Sequence, residues 1–348
     1  MALDPPPLET STALKCLTTV RTEKDLILAT KPYAQEIRWK SWWHLLSTLT
    51  AIGVLYFLIF LGATPLWLKV LSSGLVGLTI ARMFIIYHDH QHKTILQNSK
   101  IADAIMTLWG LFILAPSSIW KRSHDHHHKH NSKLYTSSIG SYPIVTKDKY
   151  LSMSRSERAV YNFKRHPLTI AFGYIFVFVY GMCLQSFLNN RDKHWDSLLA
   201  LVLHIGGGIG IAVFLGWTAF WLGFIVPAVI ALGLGAYLFY AQHNFPTATF
   251  AEKEGWSYVN AALGSSSYMR MNPVMHWFTG NIGYHHIHHL NARVPFYRLP
   301  EAHKAIPELQ QAKTTSLMPG EIIRCLRLKV WDPELGRMIS KREMVLGG

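Results

Sequence analysis

The sequence predicts an all-α integral membrane protein with about four spanning helices in two hairpins, interfacial helices and a histidine-rich cytoplasmic domain. Half of its 348 residues are hydrophobic and only 16% are charged, whereas about a quarter of the residues in an average soluble domain are charged. The apolar residues gather into runs of about 20, which is long enough to cross a bilayer. Three clusters of histidine, drawn from 19 in the chain, alternate with those runs.

The chain divides into an N-terminal cytoplasmic segment, a membrane domain with the histidine clusters and a C-terminal cytoplasmic tail, bounded as residues 1–40, 41–310 and 311–348. Two apolar runs, His44–Leu61 and Trp67–Tyr87, open the membrane domain. Each can cross the ~30 Å hydrocarbon layer. A short uncharged turn separates them, so they predict a hairpin whose second helix delivers His88 to the cytoplasmic surface.

Residues 101–120 are also apolar, but Asp103, Gly110 and Pro116 interrupt them. If this segment crossed the membrane, the first and second histidine clusters would lie on opposite sides. We therefore expect it to lie in the interface or to re-enter the membrane from one side.

Three further apolar runs follow, at Pro167–Leu188, Leu198–Trp217 and Ala219–Tyr240. If the second and third clusters share a side, the number of crossings between them is even, and one of the runs does not span. The glycines at 206–208 and Pro227 make the later runs the expected place for the short or broken segment. The polar loop Asn189–Asp196 is expected on the non-cytoplasmic side. Four spanning helices are expected in total, with six as the alternative.

The net charge of +14 follows the expected compartments and forms no nucleic-acid-binding stripe. Of the lysines and arginines, 12 lie between His88 and His166, and 12 follow Ala241. Because basic loops stay in the cytoplasm, the histidine clusters and both termini are assigned there, and no nucleic-acid partner is expected. The three cysteines form no CxxC pair, which excludes a disulfide framework and a cysteine-ligated zinc or iron–sulfur site.

The histidine clusters have the spacing of metal ligands on helices. They read HxxxH at His88–His92, HxxHH at His124–His128 and HxxHH at His285–His289. Positions i, i+3 and i+4 share one helix face, and neutral imidazole is the commonest metal ligand. His243, just past the last apolar run, is a candidate ninth ligand. Nine imidazoles exceed the four ligands of a zinc site and suit two metal ions. The candidate ligands are His88, His92, His124, His127, His128, His243, His285, His288 and His289.

Asp89 and Asp125 each follow the first histidine of a cluster. Either carboxylate could accept the second N–H of an imidazole and hold its tautomer; the alternative is a carboxylate at a helix start or in solvent. Asn131 and Asn281 are candidates for similar supporting bonds, with caps and turns as the alternative. His90 lies inside the first cluster but is rotated away from the face that its neighbours share.

The segments around the clusters resemble the membrane fatty acid desaturases, with their HDxxH, HxxHH and HxxHH boxes. Trp120–Asn131 and Trp277–Pro295 carry the resemblance, and they are similar to the bacterial acyl-lipid branch near the Δ12/ω-6 type. One departure is the pair His90-Gln91 inside the first box, where the family commonly has small residues.

The resemblance implies oxygen-dependent desaturation of a fatty acyl chain, carried by a lipid or a thioester, at a diiron centre. Two Fe ions and O2 would be the cofactors, and the location would be a bacterial plasma membrane with the reaction on its cytoplasmic face. The 59 residues after His289 contain no candidate pair of haem ligands. Electrons are therefore expected from a separate ferredoxin- or cytochrome-type protein, soluble or membrane-bound, and the basic face suits an acidic carrier or anionic membrane lipid.

Two other interpretations remain open from the residues. A carotenoid ketolase or hydroxylase, or an alkane hydroxylase, uses similar boxes to insert oxygen, and no residue in the clusters separates insertion of oxygen from removal of hydrogen. A histidine-rich metal transporter belongs to a different class. It would place its ligands in the middle of the membrane, whereas these clusters lie at the ends of apolar runs.

Overall fold

The computed structural model of the protein describes residues 21–134, 139–251 and 255–346. Within them the chain is mostly helical, with two small two-stranded sheets. Three helical stretches are long and apolar enough to cross a membrane, at Arg38–Phe60, Leu66–Gln91 and Trp195–Ala241. The fold class that the sequence predicts is therefore confirmed.

A hairpin of two long helices opens the membrane domain. Its elements are α1 (Glu23–Ala29), a 3-10 turn (Lys31–Ala34), α2 (Arg38–Phe60) and α3 (Leu66–Gln91). Pro65 stands just before α3, where its missing N–H breaks no helical hydrogen bond. α3 is much more buried than α2 and forms the centre of the helical bundle. We call the end of α3 that carries His88 the histidine side of the membrane.

The apolar segment after the first cluster is a bent pair of helices. α4 (Lys100–Phe112) and α5 (Ser117–His130) meet at 91° across a short break. Pro116 ends the break, because proline disfavours helix at the residue before it. The hydroxyl of Tyr87 donates to Ala115 O at 2.8 Å, which holds the break against the histidine-side end of α3. The pair therefore returns to the side from which it starts, as expected.

The polar stretch that follows contains two short helices, α6 (Lys147–Ser152) and α7 (Arg155–Lys164). α7 begins with a capping box in which the Ser154 hydroxyl accepts from Glu157 N and the Glu157 carboxylate accepts from Ser154 N. Capping by neighbouring side chains thus stabilises a helix in this polar segment, which has few apolar residues to bury.

The run Pro167–Leu188 is the one that does not cross the membrane. It is divided into α8 (Pro167–Ala171), a π-helical stretch (Tyr174–Gln185) and α9 (Ser186–Asn189). Its start lies on the histidine side, because the guanidinium of Arg165 donates to Asn244 Oδ1, next to His243. The expectation that a later run would be the short one was wrong.

The loop Asn189–Asp196 also lies on the histidine side. The Ser118 hydroxyl donates to Asp196 Oδ1 at 2.6 Å and lies 2.9 Å from His194 Nδ1. Ser118 precedes His124 by six residues on α5, which is at most about 9 Å along a helix axis. The loop is therefore close to the second cluster, and its assignment to the opposite side of the membrane was wrong.

The last two apolar runs form the second hairpin. They are α10 (Trp195–Phe220), a π-helical piece (Trp221–Ile225) and α11 (Val226–Ala241). The chain reverses at Gly216, whose φ of +85° favours glycine. A Cβ on Gly208 would lie 2.8 Å from the Phe224 ring, whereas a straight helix would separate these residues by about 24 Å. The protein therefore has four spanning helical segments in two hairpins, α2 with α3 and α10 with α11, as the sequence predicts.

The remaining elements form a domain on the histidine side. They are α12 (Tyr258–Gly264), β1 (Tyr268–Arg270), α13 (Pro273–Phe278), α14 (His285–Leu290), a 3-10 turn (Phe296–Arg298), α15 (Leu299–Ala305), α16 (Pro307–Gln310), β2 (Thr314–Ser316), α17 (Pro319–Arg327), β3 (Leu328–Asp332), β4 (Arg337–Ser340) and α18 (Lys341–Leu346). β1 and β2 are parallel, and β3 and β4 are antiparallel.

The C-terminal strands are fastened to the membrane domain at one buried arginine. Arg165 is fully buried, and its guanidinium donates to the Tyr240 hydroxyl at 3.2 Å and to Leu328 O at 3.1 Å. The amide of Asn244 also donates to Cys325 O at 2.8 Å. The segment after residue 311 therefore packs against the end of α11, beside His243.

Candidate metal centre

Nine histidines from four parts of the chain form two groups of imidazoles. Each residue offers one ring nitrogen, and within a group these nitrogens lie within 4.8 Å of one another. Eight of the nine residues are buried, and His92 is half-buried. The first group is His88, His92, His124, His128 and His288, and the second is His127, His243, His285 and His289.

Helix geometry explains how three clusters supply two groups. On α5, His124 and His128 point into the first group, while His127, on the adjacent face, points into the second. α14 divides its histidines the other way, with His288 in the first group and both His285 and His289 in the second. α3 serves the first group alone. His243 reaches the second from the end of α11.

In the second group the Nε2 atoms form a closed ring. His243 Nε2 lies 3.0 Å from that of His127 and 2.9 Å from that of His285. His289 Nε2 closes the ring, because it lies 3.1 Å from that of His285 and 3.2 Å from that of His127. A square with sides of about 3.0 Å has corners about 2.1 Å from its centre, which is the length of a metal–imidazole bond. The ring therefore has the dimensions of four donors around one ion.

The first group has a more open arrangement. Its Nε2 atoms follow a chain from His88 to His124, His128 and His288, with spacings of 2.9, 3.1 and 2.9 Å. The ring of His92 lies beside this chain, with its centroid 4.6 to 5.0 Å from the other four. Adjacent donors at right angles around one ion also stand about 3.0 Å apart.

The tautomer of His243 shows that its Nε2 faces the second group with a lone pair. Its Nδ1–H donates to Ser265 O at 2.9 Å, so Nε2 carries the lone pair. Burial lowers the pKa of His243 to about 4, although this hydrogen bond opposes the shift. Burial, followed by the neighbouring imidazoles, holds the pKa of His285, His288 and His289 well below its usual value. Neutral imidazoles whose ring nitrogens converge in this way are suited to bind a cation, and the residues therefore fit a metal.

Asp89 orients His88. Its buried carboxylate accepts from His88 Nδ1 at 2.9 Å and from Phe296 N at 2.7 Å. Asn281 continues the network, because its amide donates to Phe296 O at 3.2 Å. Asn281 itself has a φ of +56°, a turn conformation that asparagine tolerates. A chain of hydrogen bonds thus joins the loop after the third cluster to the first.

The other two supporting candidates lie elsewhere. Asp125 is partly exposed and pairs with Lys121 at 2.7 Å on the outer face of α5, without a hydrogen bond to any of the nine imidazoles. The amide of Asn131 donates to Ala261 O and to the Ser266 hydroxyl at 3.1 and 3.0 Å. Asn131 therefore holds the segment that presents Ser265 O to His243, one step removed from the imidazoles.

The remaining histidines of the clusters face away from both groups. His90 pairs with Asp103 at 3.0 Å, as its rotation on the helix predicts. His126 and His130 stack on each other, with ring centroids 3.9 Å apart, and belong to neither group. His286 is buried and contacts Leu309 O at 3.0 Å.

Two aromatic residues beside the imidazoles were missed by reasoning from the sequence. Trp120 stacks on His124 with ring centroids 4.7 Å apart, and Phe239 lies 4.9 Å from His127. Each stands four residues before a candidate ligand, Trp120 before His124 and Phe239 before His243. That i, i+4 relation on a helix was the available signal.

The fold and these groups define a membrane-spanning protein whose clustered histidines could bind metal ions at one surface of the bilayer. Comparison with known proteins narrows this class. A sequence model described as fatty acid desaturase matches residues 65–318. The chain belongs to the fatty acid desaturase family, whose members are oxidoreductases, and the resemblance noted in the sequence is confirmed.

Similar proteins come from bacteria and plants. A fatty acid desaturase of Bacillus subtilis is 29% identical over 93% of this chain and 92% of its own length. A chloroplastic omega-6 fatty acid desaturase of Glycine max is 25% identical over 77% of the chain, which spans 63% of that protein. An sn-1 acyl-lipid omega-3 desaturase (ferredoxin) of Nostoc is 26% identical over 64% of the chain and 63% of its own length.

Proposed function

We propose that the protein introduces double bonds into the acyl chains of membrane lipids, with one iron ion in each of the two imidazole groups. The observation that carries the proposal is the closed ring of four Nε2 atoms in the second group, which has the size of a metal coordination sphere. Membership of the desaturase family supplies the reaction class. Iron is proposed because imidazole suits it and zinc alike, and only iron is redox-active.

Iron bound at these groups would activate O2, the oxidant that an unactivated methylene requires. Removal of two hydrogens and reduction of one O2 to two waters takes two electrons and two protons from outside the acyl chain. We propose an acidic ferredoxin-like donor. The Nostoc relative is named for ferredoxin, and the net charge of +14 would attract an acidic carrier.

The side chains around the groups hold the imidazoles neutral and in place. Asp89 and Ser265 O fix the rings of His88 and His243, so that Nε2 of each faces its group. Trp120 packs on the ring of His124 and helps to hold it in place. Preorganised imidazoles of this kind need little rearrangement to bind a metal ion.

The histidine side is proposed to be the cytoplasm, because basic residues concentrate there. Single cysteines introduced into a cysteine-free protein test this topology in intact cells. Ala63→Cys and Thr218→Cys, at the two hairpin turns, should react with an impermeant maleimide from outside. Asp192→Cys should react only after the cells are opened. Labelling of Asp192→Cys from outside would contradict the arrangement.

Fatty acid profiling tests the reaction itself. Expression in a bacterium without a desaturase should yield a new unsaturated acyl chain in the phospholipids, detected by gas chromatography of methyl esters. Elemental analysis of the purified protein should find about two irons per chain. A hydroxylated product, or zinc in place of iron, would contradict the proposal.

A further inference from the structure

His92 differs from the other eight clustered histidines in its exposure. It is half-buried, whereas the other eight are buried. It stands at the C-terminal cap of α3, and its ring lies 4.9 Å from that of His124 and 4.8 Å from that of His128, measured between centroids. His92 is therefore the candidate metal ligand that is most accessible to a protein on the histidine side.

Two exposed cations lie at one contact beside His92. The Thr94 hydroxyl donates to Ala292 O at 2.8 Å, which joins the loop after α3 to the loop after α14. Lys93 precedes Thr94 and Arg293 follows Ala292, and consecutive Cα atoms are only 3.8 Å apart. Both side chains are exposed. The two loops thus place two positive charges next to the exposed imidazole.

Two more exposed cations come from α1 and α5. The Asn291 amide donates to the Thr30 hydroxyl at 2.8 Å, which brings Lys31 to the same pair of loops. Lys129 follows His128, whose ring contacts that of His92. Both lysines are exposed. We call the surface formed by Lys31, Lys93, Lys129 and Arg293 the basic surface around His92.

Acidic side chains near this end of α3 are already paired. They are Asp125 with Lys121 at 2.7 Å, Glu36 with Arg38 at 3.1 Å, and Asp103 with His90 at 3.0 Å. Within the described ranges, none of the four cations of the basic surface forms an ion pair with a carboxylate. The surface therefore keeps a net positive charge.

We propose that the acidic electron donor docks on the basic surface around His92. The inference rests on the proposed function, which requires such a donor. Opposite charges steer a carrier to its site and orient it there. Each reduced one-electron carrier gives up one electron per docking. Two dockings therefore supply the two electrons that, with two protons and the two hydrogens of the acyl chain, reduce one O2 to two waters.

Two observations favour this surface and this kind of partner. The four ligands of the second group are all buried, so a carrier approaches the imidazoles more closely at His92. The four cations also surround an exposed metal ligand, an arrangement that binding of anionic lipid headgroups does not require. A protein that delivers electrons to the first group explains both the charge and the exposure.

Charge reversal tests the docking surface. Lys93→Glu and Arg293→Glu, singly and together, are prepared as iron-loaded protein in nanodiscs of neutral phosphatidylcholine. Their anaerobic reduction by a reduced, acidic plant-type [2Fe–2S] ferredoxin is followed by stopped-flow absorbance at about 0.1 M ionic strength, where charges are screened beyond ~10 Å. The double variant should react at least about tenfold more slowly, because electrostatic steering contributes about 10- to 1,000-fold to association. Added salt should slow the wild type and change the double variant little.

Two controls separate docking from damage to the imidazoles. Arg155→Glu makes the same charge change at an exposed residue of α7, whose Tyr161 packs against the C-terminal strands, and should stay within about twofold of wild type. A photoreduced deazaflavin, which is small and neutral, should reduce all variants at the wild-type rate. Equal ferredoxin rates in the wild type and the double variant would overturn the proposal, as would an equal loss with both reductants.

Carbodiimide crosslinking locates the donor without using the reaction. It joins carboxylates of the oxidised ferredoxin to lysines of the wild-type protein, and the joined peptides are identified by mass spectrometry. Crosslinks at Lys31, Lys93 or Lys129 are expected. Crosslinks confined to other lysines, such as Lys149 and Lys164, would overturn the proposal.

Two further outcomes distinguish the proposals from each other. If the double variant loses only phosphatidylglycerol that copurifies with the wild type, and ferredoxin reduces it normally, the basic surface is a lipid contact and the docking proposal is wrong. A wild type that accepts electrons from ferredoxin at this surface but makes no double bond would refute the proposed reaction and support the docking surface.

Discussion

The two imidazole groups differ in number, in closure and in surroundings. The first has five members, four of them in an open chain with His92 beside it, and Trp120 stacks on His124. The second has four members in a closed ring, and two of them, His127 and His243, line a groove. The pair is therefore unequal: the first group contains His92, the half-buried member of the nine, whereas all four members of the second group are buried and two of them border the groove.

The supports of the two groups differ as well. In the first, a carboxylate, Asp89, holds His88, whereas in the second a backbone carbonyl, Ser265 O, holds His243. A carboxylate partner makes an imidazole a stronger donor than a neutral carbonyl does. An ion in the first group would be bound by more ligands, one of which is strengthened by a negative charge.

The largest effect is expected when the closed ring is broken. His285→Ala leaves three imidazoles in the second group, and we expect no detectable product and the loss of about one metal ion per chain. Product analysis and elemental analysis of the purified variant give both numbers. A variant that keeps two metals would show that the ring is not a coordination sphere.

A smaller loss is expected when the support of the first group is neutralised. Asp89→Asn keeps the shape of the side chain but removes the charge opposite His88, and such changes typically cost about 10- to 100-fold in metal affinity or activity. The matched control is Asp125→Asn, which breaks only a partly exposed pair with Lys121 and should change activity less than about twofold. Equal effects in the two variants would remove the distinction between these carboxylates.

Substitution of Gly140, which packs against Ser123 of α5, should act on the second group through packing. In Gly140→Ala the new Cβ would overlap Ser123 O. The positive φ of +68° adds strain of about 1–3 kcal/mol. Gly336→Ala is the control, since its φ of +59° brings the same strain but its surroundings are open. We expect Gly140→Ala to lower the melting temperature more than Gly336→Ala does and to give several-fold less product. An equal fall in both variants would mean that strain alone, and not the contact with Ser123, is responsible.

The smallest effect is expected on the outer face of α5. His126→Ala removes a ring that stacks on His130 and belongs to neither group. Product formation should stay within about twofold of wild type, because surface substitutions away from special features are usually within ±0.5 kcal/mol. A loss as large as that of His285→Ala would show that the faces of α5 have been assigned wrongly.

Local spacing predicted much of this arrangement. The i, i+3, i+4 pattern and the position of His243 after an apolar run selected nine imidazoles that the structure brings together. The pairing of Asp125 with Lys121 could also have been predicted, since the two residues are four positions apart on a helix. The division of neighbouring histidines between two groups depends on which helices face them, and spacing alone does not contain it.

Contacts between distant residues decided what could not be predicted. Pro167–Leu188 is as apolar as a true span, and it stays on one side because of tertiary contacts at its two ends, near Arg165 and at Asp196. The bond from Phe296 N to Asp89 joins residues 207 positions apart. Sequence periodicity does not reveal such a contact. The sequence therefore predicted Asp89 as the support of His88, but not the bond from Phe296 N that holds Asp89 in place.

The position of α14 late in the chain means that the two groups are completed at different stages of synthesis. A nascent chain that ends before His285 already has four imidazoles of the first group but only two of the second. α14 then supplies one histidine to the first group and two to the second. The first group thus reaches a usable number of ligands while translation continues, and the second depends on the ribosome finishing the third cluster.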